Sequence, residues 1–80
     1  MPQNLGWKYL EVRLNSQIMH LQPQYVAIFD YHMADDDEIT ILEGDGLIDT
    51  LAIDEGWMEG RNQRTGLYGM FPSNYVTASI

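Results

Sequence analysis

Ala27-Ile28-Phe29-Asp30-Tyr31 and Gly69-Met70-Phe71-Pro72-Ser73-Asn74-Tyr75-Val76 are the two stretches on which the fold reading turns, with Trp57 between them in sequence. Phe29, Tyr31, Trp57, Pro72 and Tyr75 are more flat, rigid side chains than an acidic chain of 80 residues hides well. Tyr and Trp suit a surface that is apolar yet keeps a polar tip in water. A domain of this size buries only about 60% of the surface its unfolded chain exposes, which leaves little room for a deep catalytic cavity. Recognition of a flat apolar partner is therefore favoured over catalysis.

Working outward, the segment after Pro23 consists of short apolar runs divided by turn signals. The runs cover residues 25–29, 39–42, 47–53, 57–60, 67–71 and 76–80. Glu43-Gly44-Asp45-Gly46 and Asp54-Glu55-Gly56 separate the earlier ones. Five strands at this spacing predict an all-β, compact antiparallel sandwich or barrel. Arg61-Asn62-Gln63-Arg64-Thr65-Gly66 reads as a tight hairpin that pairs 57–60 with 67–70, with Gly66 taking a left-handed conformation. Gly60 falls in mid-strand, which predicts a core side chain packed over its backbone. Ala27, Ile39, Ile41, Leu47, Phe71 and Val76 are the expected core, with Val26 and Ile48 at its margin. Truncating Ile39 or Ile41 to Ala is expected to cost about 2–5 kcal/mol.

Residues 1–23 differ in charge from the rest. They hold Lys8, Arg13 and one acid, Glu11, whereas 24–80 hold eleven acids and two arginines. This places a boundary near Pro23, between an N-terminal extension, 1–23, and a domain, 24–80. In the extension Leu10, Val12 and Leu14 alternate with Glu11, Arg13 and Asn15 as a strand over 8–14 would, while Trp7, Leu14, Ile18 and Leu21 also fit a helical stripe. The strand is the preferred reading. The extension packs on the domain, pairs or exchanges with a second copy to build a dimer, or is a leader; otherwise the chain is expected to be a monomer.

With 12 acidic and 4 basic residues the formal charge is −8, so attraction to a phosphate backbone is absent and nucleic acid is not an expected partner. Basic partners are favoured instead. No apolar run approaches the roughly 20 residues of a membrane span, and Met1-Pro2-Gln3-Asn4 does not open a signal peptide. The chain reads as a soluble cytoplasmic domain with no membrane partner. Without cysteine there is no disulfide framework and no thiolate zinc site, and His20 and His32 lack the close spacing of a metal-binding pair. The acidic run 35–38 lacks the alternating oxygens and central glycine of a calcium loop. No cofactor or metal is expected. Ser73 has no histidine near it in sequence and no Gly-x-Ser-x-Gly elbow exists, so an enzyme is not expected either.

Residues 25–79 resemble an SH3 domain. Ala27-Ile28-Phe29-Asp30-Tyr31 is similar to the family's ALYDY motif, and Asp35-Asp36-Asp37-Glu38 to the acidic tip of its RT loop. Glu43-Gly44-Asp45 is similar to the turn that ends that loop, Trp57-Met58 to the tryptophan pair with its second member replaced, and Pro72-Ser73-Asn74-Tyr75-Val76 to the closing SNYV segment. Within the family, Ile53-Asp54-Glu55-Gly56-Trp57-Met58 and Gln63-Arg64-Thr65-Gly66 resemble the domains that end nebulin and the LIM-and-SH3 proteins.

The resemblance implies a five-stranded, two-sheet SH3-like barrel with a short 3-10 turn before the last strand. It also implies a shallow groove for proline-rich peptides, in an adaptor of cytoskeletal or signalling assemblies. By motif position Phe29, Tyr31, Trp57, Met70, Pro72, Asn74 and Tyr75 would line that groove. Glu38 and Asp37 would meet an Arg or Lys of the ligand, with Asp35, Asp36 and Glu55 adding to the negative field. Two departures bear on one proline pocket: Phe29 lacks the hydroxyl usual at its position, and Met70 stands where many members carry an aromatic residue.

Overall fold

The computed structural model describes residues 22–79. The strand expected over 8–14, the alternative helical stripe and, apart from Gln22 and Pro23, the packing or exchange of the extension lie outside the described residues.

The runs become five strands: β1, Tyr25–Ala27; β2, Gly46–Asp54; β3, Trp57–Asn62; β4, Tyr68–Pro72; and β5, Val76–Ala78. A 3-10 turn, Ser73–Tyr75, precedes β5, and there is no α-helix among the described residues. The strands are antiparallel in the order β4-β3-β2-β1-β5. Central β2 pairs with β3 along most of its length but with β1 only at Gly46 and Leu47. Its register shifts between Ile48 and Leu51 and between Ala52 and Asp54, and such bulges bend a strand and strengthen its twist. Asp49, inside the first shift, takes φ 54°, a left-handed conformation that Asp tolerates better than a branched side chain would.

Alternation along β3 sets the two faces. Met58, Gly60 and Asn62 are buried, while Trp57, Glu59 and Arg61 are half-buried on the other face. Ala27, Ile39, Ile41, Leu47, Met58, Phe71 and Val76 form one core, against which Tyr25, Tyr31 and Tyr75 pack. Ile48 is buried outside this cluster and Val26 is half-buried. Met58 joins the core at the position where the resemblance puts a second tryptophan.

The hairpin expected over 61–66 is present. Gly66 has φ 75° and its N–H donates to the Asn62 carbonyl at 2.7 Å. Gly60 faces Gly69 across β3 and β4.

Three expectations need correction. Residues 39–42 form no strand. They are the returning arm of the RT loop, bridged to Tyr31 through Ile41 and held to β4 where Ile39 N–H donates to the Met70 carbonyl at 2.9 Å. Ile39 and Ile41 still alternate inward, so the period of two reports their burial and not a ladder. The first strand stops at Ala27, because Ile28 leaves the ladder to donate to the Tyr75 carbonyl at 2.8 Å. The group lying over Gly60 is also not a core side chain. A Cβ there would stand 2.9 Å from Thr50 Cγ2 and 3.1 Å from the Ile48 carbonyl oxygen, both on the neighbouring β2.

Gly69 has the more consequential close approach. A Cβ there would lie 2.7 Å from Ile39 Cγ2 and 3.0 Å from the Asp37 carbonyl oxygen. Gly69→Ala is expected to push the RT-loop arm outward at a cost of about 1–3 kcal/mol. Urea unfolding and amide chemical shifts check this: the shifts at Asp37, Glu38 and Ile39 should exceed those in β1 and β5.

Candidate functional site

One row of rings crosses the face that carries Trp57. Phe29 meets Tyr75 at 5.9 Å between centroids and 78° between planes. Tyr75 meets Tyr31 at 5.6 Å and 81°, and Tyr31 meets Trp57 at 6.1 Å and 79°. All three contacts are edge-to-face, the arrangement that ring quadrupoles favour. Neighbouring planes thus stand nearly perpendicular along the row.

The backbone fixes each ring. Trp57 opens β3 directly opposite Pro72, the buried last residue of β4. Pro72, at φ −68° and ψ 132°, leads into the 3-10 turn that carries Asn74 and sets the Tyr75 ring between Phe29 and Tyr31. The Ser73 N–H donates to the Gly56 carbonyl at 2.9 Å, tying this turn to the loop before Trp57. Tyr31 exchanges backbone hydrogen bonds of 2.8 and 2.9 Å with Ile41. Exposure rises towards one end. Trp57, Tyr31 and Tyr75 are half-buried, Asn74 is exposed, and Phe29 is 58% exposed.

At Tyr31, the neighbour of Trp57 in the row, the rings meet carboxylates. The Tyr31 hydroxyl donates to Glu38 Oε1 at 2.6 Å, and the Ala34 N–H donates to the same oxygen at 2.8 Å. The hydrogen bond to Glu38, then burial, then the Glu38 charge push the Tyr31 hydroxyl up to about 12. Conversely, the bonds from Tyr31 and Ala34 hold the Glu38 carboxyl below its ordinary value. Glu38 is therefore an anion at neutral pH although only 8% of its surface is exposed.

Carboxylate oxygens of Asp35, Asp37 and Glu38 converge within 4.8 Å of one another. The structure thus brings Asp35, Asp37 and Glu38 together, with Glu38 on Tyr31, whose ring in turn meets Trp57. Asp36 and Glu55 are exposed and stand outside that group. Met70 is half-buried beside it, its N–H donating to the Asp37 carbonyl at 2.9 Å.

At the opposite end a cavity of about 550 Å³ opens beyond Phe29 and Tyr75, lined also by Ile28, Asp30, Glu43 and Asn74. Ile28, Asp30 and Glu43 were not singled out from sequence as site residues. Asp30 lies within the quoted aromatic motif, and its charge beside Phe29 was the available signal.

A family model for the SH3 domain matches residues 26–73. Human nebulin is 56% identical over 52 residues, which is 65% of this chain and 1% of nebulin. The Drosophila melanogaster LIM and SH3 domain protein Lasp is 48% identical over 56 residues, 70% of this chain and 8% of that protein. The mouse LIM zinc-binding domain-containing nebulette is 38% identical over 76 residues, 89% of this chain and 28% of that protein. That share exceeds what residues 22–80 can supply, so the likeness runs into the residues before Gln22. Among solved structures, the SH3 domain of the yeast actin binding protein Abp1 superposes with a TM-score of 0.64 at 40% identity, covering 66% of this chain and 91% of that one.

The chain belongs to the SH3 domain family. SH3 domains are non-catalytic interaction modules that typically bind proline-rich peptides. The chain spans only a small part of these curated relatives, from 1% to 28% of their length. Among the described residues no helix is long and apolar enough to cross a membrane.

Proposed function

We propose that this domain recruits a proline-rich partner whose polyproline II segment carries an Arg or Lys, and that it does so as an adaptor in actin-cytoskeletal assemblies. The observation that carries this reading is the ring row from Phe29 to Trp57 with the group of Asp35, Asp37 and Glu38 held against Tyr31. A proline-rich segment is already near the polyproline II conformation, so docking it orders little that is not ordered beforehand. Its rings pack against Phe29, Tyr75, Tyr31 and Trp57. Its carbonyls, unpaired within the segment, accept from the Trp57 indole N–H, the Tyr75 hydroxyl and the Asn74 amide.

The basic side chain meets the carboxylates, where a planar guanidinium engages two oxygens at once, so Arg is preferred to Lys. Asp37 is the exposed contact, and Glu38 supplies a fixed charge held in place by Tyr31. Asp36 and Glu55 add to the field that draws the ligand in. The names of the relatives, nebulin, LIM and SH3 domain protein and actin-binding protein, support the cytoskeletal setting.

A groove this shallow implies an interface below about 1,200 Å² and a Kd on the order of micromolar, about −8 kcal/mol. Titration by NMR with proline-rich peptides carrying Arg, Lys or Ala beside the prolines tests the reading. Resonances of Trp57 and Tyr75 should move in all three series, with affinity falling from Arg to Lys to Ala and weakening as salt is added. Trp57→Ala should reduce affinity at least about tenfold, as loss of an interface anchor does. No movement at Trp57 or Tyr75 at millimolar peptide would sink the proposal.

A further inference from the structure

The cavity beyond Phe29 and Tyr75 lies at the end of the groove away from the RT-loop carboxylates. Three of its lining residues, Phe29, Asn74 and Tyr75, belong to the groove, so the two are continuous. Of the other three, Ile28 is 40% exposed and supplies an apolar wall, while Asp30 and Glu43 bring two carboxylates and no cation lines the space. Glu43 is not on a loose tip. Its N–H donates to Asp30 Oδ1 at 2.8 Å, and the next residue, Gly44, donates to the Ala27 carbonyl at 2.8 Å, pinning the turn to β1. The structure therefore holds a second negative pole beside an exposed aromatic ring and an exposed aliphatic side chain.

We propose that this cavity takes a second basic side chain of the same proline-rich ligand, so that the groove holds its peptide between two acidic poles. This rests on the peptide-binding reading above. The long aliphatic stem of Arg or Lys suits Ile28 and Phe29 while its charged head meets Glu43 and Asp30. The spacing follows from the rings. Polyproline II rises about 3.1 Å per residue, so each ring-to-ring step of 5.6 to 6.1 Å takes about two residues. Glu38 lies against Tyr31, two steps from Phe29, so the preferred ligand places its basic residues about four positions apart or more, one on each side of the prolines.

Four synthetic proline-rich peptides test this on the full chain: Arg before the prolines, Arg after them, Arg at both ends, and Arg at neither. At low ionic strength the doubly basic peptide should bind about three- to fivefold more tightly than the better singly basic one, the gain ordinary for one exposed charge pair. It should also shift the Glu43 amide further than the better singly basic peptide does. In Glu43→Gln, an exposed change on the pinned turn, that gain should disappear while affinity for the better singly basic peptide stays as in the wild type. A doubly basic peptide that gains nothing, or whose gain survives Glu43→Gln, overturns the second pole. Either result leaves peptide binding intact if the singly basic peptides still move Trp57 and Tyr75, so the two readings fail separately.

Discussion

Phe71→Ala is expected to lower the unfolding free energy by about 3–5 kcal/mol, enough to leave the domain largely unfolded at physiological temperature if its total lies near the lower end of the usual range, about 5 kcal/mol. Phe71 is fully buried and is the largest such side chain among the described residues. It lies on β4 directly opposite Met58, one residue before Pro72, so its ring supports the strand that delivers Pro72 and the 3-10 turn to the groove. A cavity there cannot be refilled by Ala27, Ile39 or Val76 without moving hydrogen-bonded backbone: β1 is paired on both sides, β5 is paired with β1, and Ile39 is bonded to Met70. Urea unfolding at neutral pH measures the loss as a lower midpoint at unchanged slope. Leu51→Ala is the comparison, since Leu51 is 61% exposed on β2 and its truncation should change stability by less than about 0.5 kcal/mol. Similar midpoints for the two variants would show that the core does not carry the fold. Because folding is lost first, weakened peptide binding by Phe71→Ala says nothing about the groove, whereas Trp57→Ala does.

The aromatic spacing made much of the ring row legible in the sequence. Trp57 and Pro72 lie fifteen residues apart, yet the 61–66 turn read from Gly66 already implied that their strands pair, and they do so as direct partners. What sequence could not give was which groups satisfy one another. Glu38 is one of four consecutive acids, and nothing in that run says that it turns inward to accept from Tyr31 and Ala34 while Asp35, Asp36 and Asp37 stay exposed. That selection depends on a chain reversal, with Glu38 donating its own N–H to the Asp35 carbonyl. Residues 39–42 misled in the opposite way. Their alternation is real, but alternation records which side chains are buried, and the RT-loop arm buries Ile39 and Ile41 with isolated bridges in place of a ladder. Asp45 and Asn62 looked like ordinary turn residues because polar burial depends on partners nineteen and fewer positions away, which no local pattern encodes.

Those partners yield the second large effect. Asp45→Ala is expected to cost about 2–4 kcal/mol, because the Leu42 N–H and the buried Asn62 amide lose a charged acceptor, the amide keeping only a 3.4 Å bond to the Thr40 carbonyl. Asp45 is 6% exposed and Asn62 is fully buried. Asp45 Oδ2 accepts from the Leu42 N–H at 2.9 Å and from Asn62 Nδ2 at 2.8 Å. Arg64 donates to Oδ1 at 2.7 Å and to Oδ2 at 3.0 Å, and its own N–H donates to Asn62 Oδ1 at 2.9 Å. One carboxylate thus ties the end of the RT loop to the β3–β4 hairpin. Arg64→Ala should cost much less, below about 1 kcal/mol, since the arginine side chain is 49% exposed and its charge is screened by water. Equal losses in the two variants would mean that the ion pair, and not the buried hydrogen-bond array, is what matters.

The same group gives a pH dependence of definite sign. Burial alone would raise the Asp45 carboxyl, but the hydrogen bonds from Arg64, Leu42 and Asn62 outweigh it and hold the folded value below the ordinary one. The unfolded chain then binds this proton more readily. Its contribution is fully present above the unfolded value of about 3.9 and is lost as pH falls through the lower folded value. Glu38 is shifted in the same direction, so wild-type stability should fall as pH drops below about 4 through both groups. Asp45→Asn should be less stable at neutral pH and lose less than the wild type on acidification, retaining the slope that Glu38 supplies. Urea midpoints at pH 7 and pH 3 decide it: an acid-induced loss in Asp45→Asn as large as in the wild type would remove Asp45 from the pH response.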